Sequence, residues 1–402
     1  MMMRAAVGLW VLSAVICVGS FIPSNNWPNS VSLVNEANQR FSFRLYRKLA
    51  ADADSQGKNI FFSPFCVSTA LAALSVGAQG ETHRQLFSGL AFSSSLTQTD
   101  VDQAFQTFLQ RANNTSQEDT SEGTAVFVDN GFKPKPEFLQ TLKQSYFTDG
   151  FNVDFSQATE SADTINKYVE EKTNGKIDKL VENLDPNTVL YLISYIYYKG
   201  KWATPFHPKL TKQDDFNVDK NTKVQVLMMN LEDSFNTYHD LMLNTMVLQL
   251  PFTGSYSMLL MLPDAMATLE FTLGPNRVIK WLQWMRPRRY NIYIPKFSIK
   301  TSYNLNDVLS EMGMTDMFGE RANFRCISEE QGLAVSEVVH QATLDVDEIG
   351  ATAAAATGIG IVTTAIWDPV PVLKFNRPFM VIIIERNTEE ILFMGKIINP
   401  TI

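Results

Sequence analysis

Apolar residues recur with two different periods along this chain, and the order in which they appear predicts its fold class. After an Asn- and Pro-rich stretch at 21–30, Val34, Ala37, Phe41, Leu45 and Leu49 share one face of a 3.6-residue period, the mark of a helix. Residues 59–62 read as a short strand ending at Ser63-Pro64, and Pro64 suits the first turn of a helix running to about Gly77. Asp100 can cap another helix, whose apolar face is Val101, Phe105, Phe108 and Leu109. Residues 124–128 read as a strand, and Ile165 to Val169 open a helix that ends in Thr173-Asn174-Gly175-Lys176. The ten apolar and aromatic residues 189–198 predict a strand central in a sheet. Residues 246–250 and 257–262 flank Pro251-Phe252-Thr253-Gly254 as a hairpin, and 291–299 and 334–346 are further strands. Residues 379–384 and 391–397 form a last pair around Asn387-Thr388. Helices dominate the first third and strands the rest, which predicts an α+β fold with large sheets. With no internal repeat or interdomain linker, residues 21–402 read as one domain.

The N-terminus changes the picture by giving a compartment. Residues 1–20 combine Arg4, an apolar run from 5 to 18, and a small-residue site at 18–20, the pattern of a secretory signal peptide too short to span a membrane. Later apolar stretches are broken by charge, as 370–384 is by Lys374 and Arg377, so no membrane span is expected. The mature chain is therefore expected in the extracellular space. There, Asn113-Asn114-Thr115-Ser116 offers two overlapping glycosylation sites, Asn113 and Asn114, in a polar, loop-like stretch. Removing the signal peptide removes Cys17 and leaves Cys66 and Cys326, either paired as an extracellular disulfide or held as two buried thiols. The net charge of −8 argues against nucleic-acid binding, and 27 Phe with 6 Trp exclude disorder.

Enzymatic chemistry finds no foothold. The histidines, at 83, 207, 239 and 340, lack H-x-x-x-H spacing, so no metal site is expected. There is no G-x-S-x-G elbow and no P-loop, and the carboxylates form no distinctive pair. One segment stands apart. Residues 345–373 hold five alanines and a threonine at 351–356, then Thr357 and a Gly-rich stretch. In strand geometry Ala351, Ala353, Ala355 and Thr357 face one side and are small enough to slide between existing strands, so the segment suits an exposed loop or a strand. A second feature is basic: 271–306 has no acid but holds Arg277, Lys280, Arg286, Arg288, Arg289, Lys296 and Lys300. It reads as a solvated surface or a polyanion site.

Several motifs together resemble the serpins, over about residues 31–402. They are LKFNRPFM at 373–380, FMGKIINP at 393–400, NIFFSP at 59–64, YIYYKGKW at 195–202, TNGKI at 173–177 and DEIG at 347–350. The resemblance is to the vertebrate plasma group that includes antitrypsin, kallistatin and the hormone-binding globulins. It implies a monomer of three β-sheets and about nine helices, with an exposed reactive loop. A serine protease cuts the loop; the loop inserts as a strand in the main sheet and carries the covalently bound protease along. By the same resemblance Glu348 opens the hinge and pairs with Lys296 where the sheet opens, beside Trp202. Gly350, Ala351, Thr352, Ala353, Ala354, Ala355 and Ala356 form the mobile hinge. Ser63 and His340 belong to a polar cluster midway along the sheet, in which Cys66 and Ser194 depart from the family's usual serine and asparagine. Family spacing puts the reactive bond at Thr364–Ala365, with Ile361, Val362, Ile366 and Trp367 as alternatives. The expected function is inhibition of elastase-like or chymotrypsin-like proteases. The alternative is a carrier of a steroid or thyroid hormone, with Trp281 and Trp284 lining a pocket. Some members of the group bind heparin near the helix corresponding to 278–284, which would assign Arg286, Arg288 and Arg289 to a heparin-like cofactor.

Overall fold

A computed structural model describes residues 28–115, 119–349 and 369–402. Its helices are α1 (Asn29–Ala51), α2 (Pro64–Ser75), α3 (Gly80–Gly89), α4 (Gln98–Thr115), α5 (Pro136–Ser145), α6 (Ala158–Lys172), α7 (Met266–Thr272), α8 (Pro275–Trp284) and α9 (Asn306–Glu311). The strands are β1 (Ile60–Phe62), β2 (Asp119–Asp129), β3 (Asp149–Val153), β4 (Leu190–Lys199), β5 (Lys212–Asn217), β6 (Lys223–Asp240) and β7 (Thr245–Pro251). They continue with β8 (Tyr256–Pro263), β9 (Arg286–Pro295), β10 (Phe297–Asn304), β11 (Glu337–Val346), β12 (Val372–Lys374), β13 (Phe379–Glu385) and β14 (Ile391–Ile397).

Five strands form one sheet in the order β10-β11-β4-β2-β3. The others form a second network, β1-β14-β13-β8-β7-β6-β9-β12, with β5 on β6. The expected third sheet is hydrogen-bonded into this second one by β6. That long strand pairs β5 and β9 in its first part and β7 at its end. The strand expected over 291–299 is really two: the chain leaves the larger sheet after Pro295, and Phe297 starts β10 in the five-stranded sheet. Pro295 has no N–H to continue a ladder, which suits a switch point.

The core explains why β4 shows no polar alternation. Leu190, Leu192, Ile196 and Tyr198 face the main core with α1 and α2. Tyr191, Ile193 and Tyr195 face a second core beneath α6, with Ile165, Val169, Ile177 and Val181. Both faces of the strand are therefore dry. Every residue of α2 is buried, and Ser63 starts it by accepting a hydrogen bond from the Cys66 backbone N–H at 3.2 Å. Asn113 and Asn114, expected in a loop, lie in the last turn of α4, because helical hydrogen bonding continues through the polar residues to Thr115. Cys66 and Cys326 are both free, Cys66 buried and Cys326 half-buried.

Candidate functional site

The seam between β4 and β11 organises the site. These strands pair in parallel from Tyr191 opposite Glu337 to Tyr198 opposite Leu344. The chain leaves β11 at Val346 and rejoins the described residues ahead of β12, which pairs in parallel with β9 in the other sheet. Gly350, Ala351, Thr352, Ala353, Ala354, Ala355, Ala356, Thr364 and Ala365 lie between, outside the described residues.

At the open end of the seam, three contacts hold the start of that segment. Lys296 Nζ lies 2.9 Å from Glu348 Oε2. Burial of Glu348 opposes its ionisation, but hydrogen bonding and charge from Lys296 outweigh this and hold its pKa below the ordinary value. The Trp202 indole donates to the Asp347 carbonyl at 2.8 Å, and Lys199 Nζ lies 2.8 Å from Asp347 Oδ2. Trp202 stacks on Phe252 with ring centroids 4.6 Å apart. Phe252 also packs against Gly200, where there is no room for a Cβ. Just inside, Asp345 accepts from Tyr197 of β4 at 3.0 Å and from Ser298 of β10 at 2.6 Å, tying three strands together. Sequence reasoning missed Lys199, Asp345 and Asp347. Lys199 and Asp347 fall within the serpin-like motifs at 195–202 and 347–350, which give them no role, and the partners of the acidic run Asp345-x-Asp347-Glu348 lie 47 to 148 positions away and cannot be paired by spacing.

Midway along the seam His340 stands opposite Ser194 and is fully buried. Its Nε2 accepts from the Ser63 backbone N–H at 2.9 Å. The proton of the neutral ring therefore sits on Nδ1 and is donated to Ser194 Oγ at 2.9 Å. A protonated ring would set an N–H against the Ser63 N–H. Burial accordingly drives the pKa down to about 3. Ser63, His340 and Ser194 thus join α2, β11 and β4 at one point. Beside this group, Cys66 Sγ lies 3.8 Å from Glu122 Oε2.

The other candidate residues lie apart from the seam. Arg286 and Arg288 alternate onto one side of β9 and are exposed. Arg289 points to the other side and meets Glu232 at 2.8 Å. Trp281 is buried and donates to Asp240 Oδ2 at 2.9 Å, which Arg277 also engages, whereas Trp284 is 58% exposed. The two tryptophans therefore do not line one pocket. Among the described residues no group of His, Cys, Asp and Glu is placed to hold a metal ion, and no helix is long and apolar enough to cross a membrane.

The family model described as Serpin (serine protease inhibitor) matches residues 36–400. An alpha-1-antitrypsin-like protein from Tamias sibiricus is 41% identical over 90% of this chain and 87% of its own length. Serpin A3-5 from Bos taurus is 40% identical over 91% of this chain and 89% of its own. Among solved structures, human thyroxine-binding globulin with bound thyroxine and human glycosylated kallistatin each superpose with a TM-score of 0.86. Each is 34% identical and covers 93% of this chain and 100% of its own. A family match across nearly the whole chain, together with the loop-bearing seam and its buried histidine, leaves one conclusion: the chain belongs to the serpin family.

Proposed function

We propose that this chain is a secreted inhibitor that traps a serine protease by cleavage and insertion of the segment 350–368, rather than an enzyme. The observation that carries this is the parallel β4–β11 seam with the segment leaving at its open end. A chain turning back from β11 into that seam runs antiparallel to both neighbours. It replaces one parallel ladder, whose hydrogen bonds are slanted, with two antiparallel ones. The contacts of Glu348 with Lys296 and of Asp347 with Trp202 and Lys199 latch the hinge until cleavage. Antitrypsin-like relatives support inhibition as the family-level activity.

The target follows from the loop's chemistry. No Lys or Arg occurs from Gly350 to Leu373. A trypsin-like pocket with a buried carboxylate gains nothing from such a loop. Val362, Thr363, Thr364 and Ala365 suit a small elastase-type pocket, and Ile366-Trp367 makes a chymotrypsin-type cut the second choice. Mass mapping after incubation with elastase is expected to find cleavage at Thr364–Ala365. Trypsin is expected to be inhibited at least about a thousandfold more slowly. Rapid stoichiometric inhibition of trypsin would refute the assignment.

The likeness to thyroxine-binding globulin favours a second reading, in which the chain carries a small hormone. Saturable binding of thyroxine or a steroid without protease complexes would select it.

A heparin-like cofactor remains part of the proposal, reduced to Arg286 and Arg288 with exposed Lys280, because Arg289 is engaged by Glu232. On heparin resin, Ala at 286 and 288 is expected to lower the eluting salt concentration, and Ala at 289 to change it little. Flow-through of the unaltered protein at low salt would dispose of the cofactor.

A further inference from the structure

Outside the site just described, the least ordinary chemistry lies between α4 and the five-stranded sheet. Glu122 projects from β2 opposite Ile196 of β4, one strand away from the β4–β11 seam. As a residue it is half-buried, but its carboxyl lines a cavity of about 60 Å³ with Phe65, Cys66, Thr69, Leu109, Tyr146 and Phe147. Its polar contact is the weakly donating Cys66 thiol at 3.8 Å. Nearby, Glu390 is buried in the turn between β13 and β14, close enough to Glu122 for the two to repel.

Among the described residues the charges around them do not balance. Glu385 accepts hydrogen bonds from the Asn387 and Thr388 backbone N–H groups and lies 3.6 Å from Arg111 of α4. Arg111 is thus shared between Glu385 and Glu390. From α2 the facing group is Cys66, whose thiol burial pushes well up, so it supplies no positive charge. Tyr195 of β4 and Tyr146 after α5 are neutral phenols raised chiefly by burial, and Tyr146 donates to Asp102 of α4. His83 faces Asp102 and Gln98, on the far side of that network.

We propose that Glu122 and Glu390 form a proton-operated latch: protonated, they let α2, α4 and the β13–β14 turn close on β2, and their ionisation loosens that packing and eases opening of the β4–β11 seam. The geometry gives the latch its reach, since β2 is hydrogen-bonded to β4 from Asp119 opposite Lys199 to Val128 opposite Leu190. The cavity gives it room to move, because a void beside an ionising carboxyl admits water. Burial raises the pKa of Glu122 to about 7 and that of Glu390 to about 8, against 4.5 for either group in water. Raised acids bind extra protons in the closed form, so the closed form weakens as pH climbs from about 4.5 through 8.

The test is hydrogen exchange of the full chain at about pH 6 and about pH 8.5, corrected for intrinsic rates, in the unaltered protein and in Glu122→Gln and Glu390→Gln. Opening of β4 and β11 in the unaltered protein is expected to be at least about tenfold more frequent at the higher pH, because Glu122 alone, moving between pKa values of 4.5 and about 7, contributes about tenfold and Glu390 adds to it. Each glutamine variant is expected to flatten that dependence, and both together to abolish it. Thermal melting of the same proteins shows whether each variant folds. Equal pH dependence in the unaltered and variant proteins would overturn the latch. So would a pH-dependent melting temperature with no change in β4 and β11 protection, because the two acids would then be buried without acting on the seam.

Discussion

Cleavage within 350–368 is expected to raise the melting temperature well beyond the few degrees that a single substitution produces. The intact sheet has five strands, and its β4–β11 pair is the parallel contact at which the hinge emerges. Both flanking strands are buried on both faces, so an inserted strand is buried at once and needs small side chains on its inward side. Ala351, Ala353, Ala355 and Thr357 meet that need. Ala351→Arg places a charge there without a partner, at a cost of several kcal/mol. Cut Ala351→Arg protein should therefore melt close to the intact form and release its protease as ordinary product. Differential scanning calorimetry of cut and uncut protein decides the matter. Coincident melting of the two forms of the unaltered chain would exclude insertion.

Acid should act through His340. Its folded pKa of about 3 lies below the 6.5 of a free imidazole, so the unfolded chain binds the extra proton. The stabilisation from keeping the ring neutral is complete above about pH 6.5 and is lost as pH falls toward 3. The slope is about 1.4 kcal/mol per pH unit from this residue alone. His340→Gln leaves an acceptor for the Ser63 N–H and removes the titration. Urea unfolding between about pH 6.5 and about pH 4 should therefore show a shallower acid slope in the variant. Equal slopes would mean that the ring takes up its proton without disturbing the seam.

Much of the architecture was legible because its signals are local. The Ser63-Pro64 start of α2, the dry run of β4 and the β13–β14 hairpin each announce themselves within a few residues. Boundaries failed where the deciding partner is distant. The strand expected over 291–299 divides at Pro295 because two different sheets claim its halves. The polar end of α4 looks like a loop in one dimension and is held as helix to Thr115. Lys296 with Glu348, and Ser63 with His340, were named through resemblance to a family, since 52 and 277 positions separate the partners. Where resemblance offered a departure rather than a match, as at Cys66, no local pattern hinted that the neighbour would be a buried carboxyl. In the sequence the basic stretch at 286–289 reads as one patch, but strand alternation and Glu232 separate Arg289 from Arg286 and Arg288.

Trapping of the protease that cuts segment 350–368 is decided by denaturing electrophoresis after incubation with elastase. A band stable in SDS at the combined mass of the protease and the cut chain is expected, formed as protease activity disappears. Separate bands of free protease and cleaved chain, with activity undiminished, would contradict it.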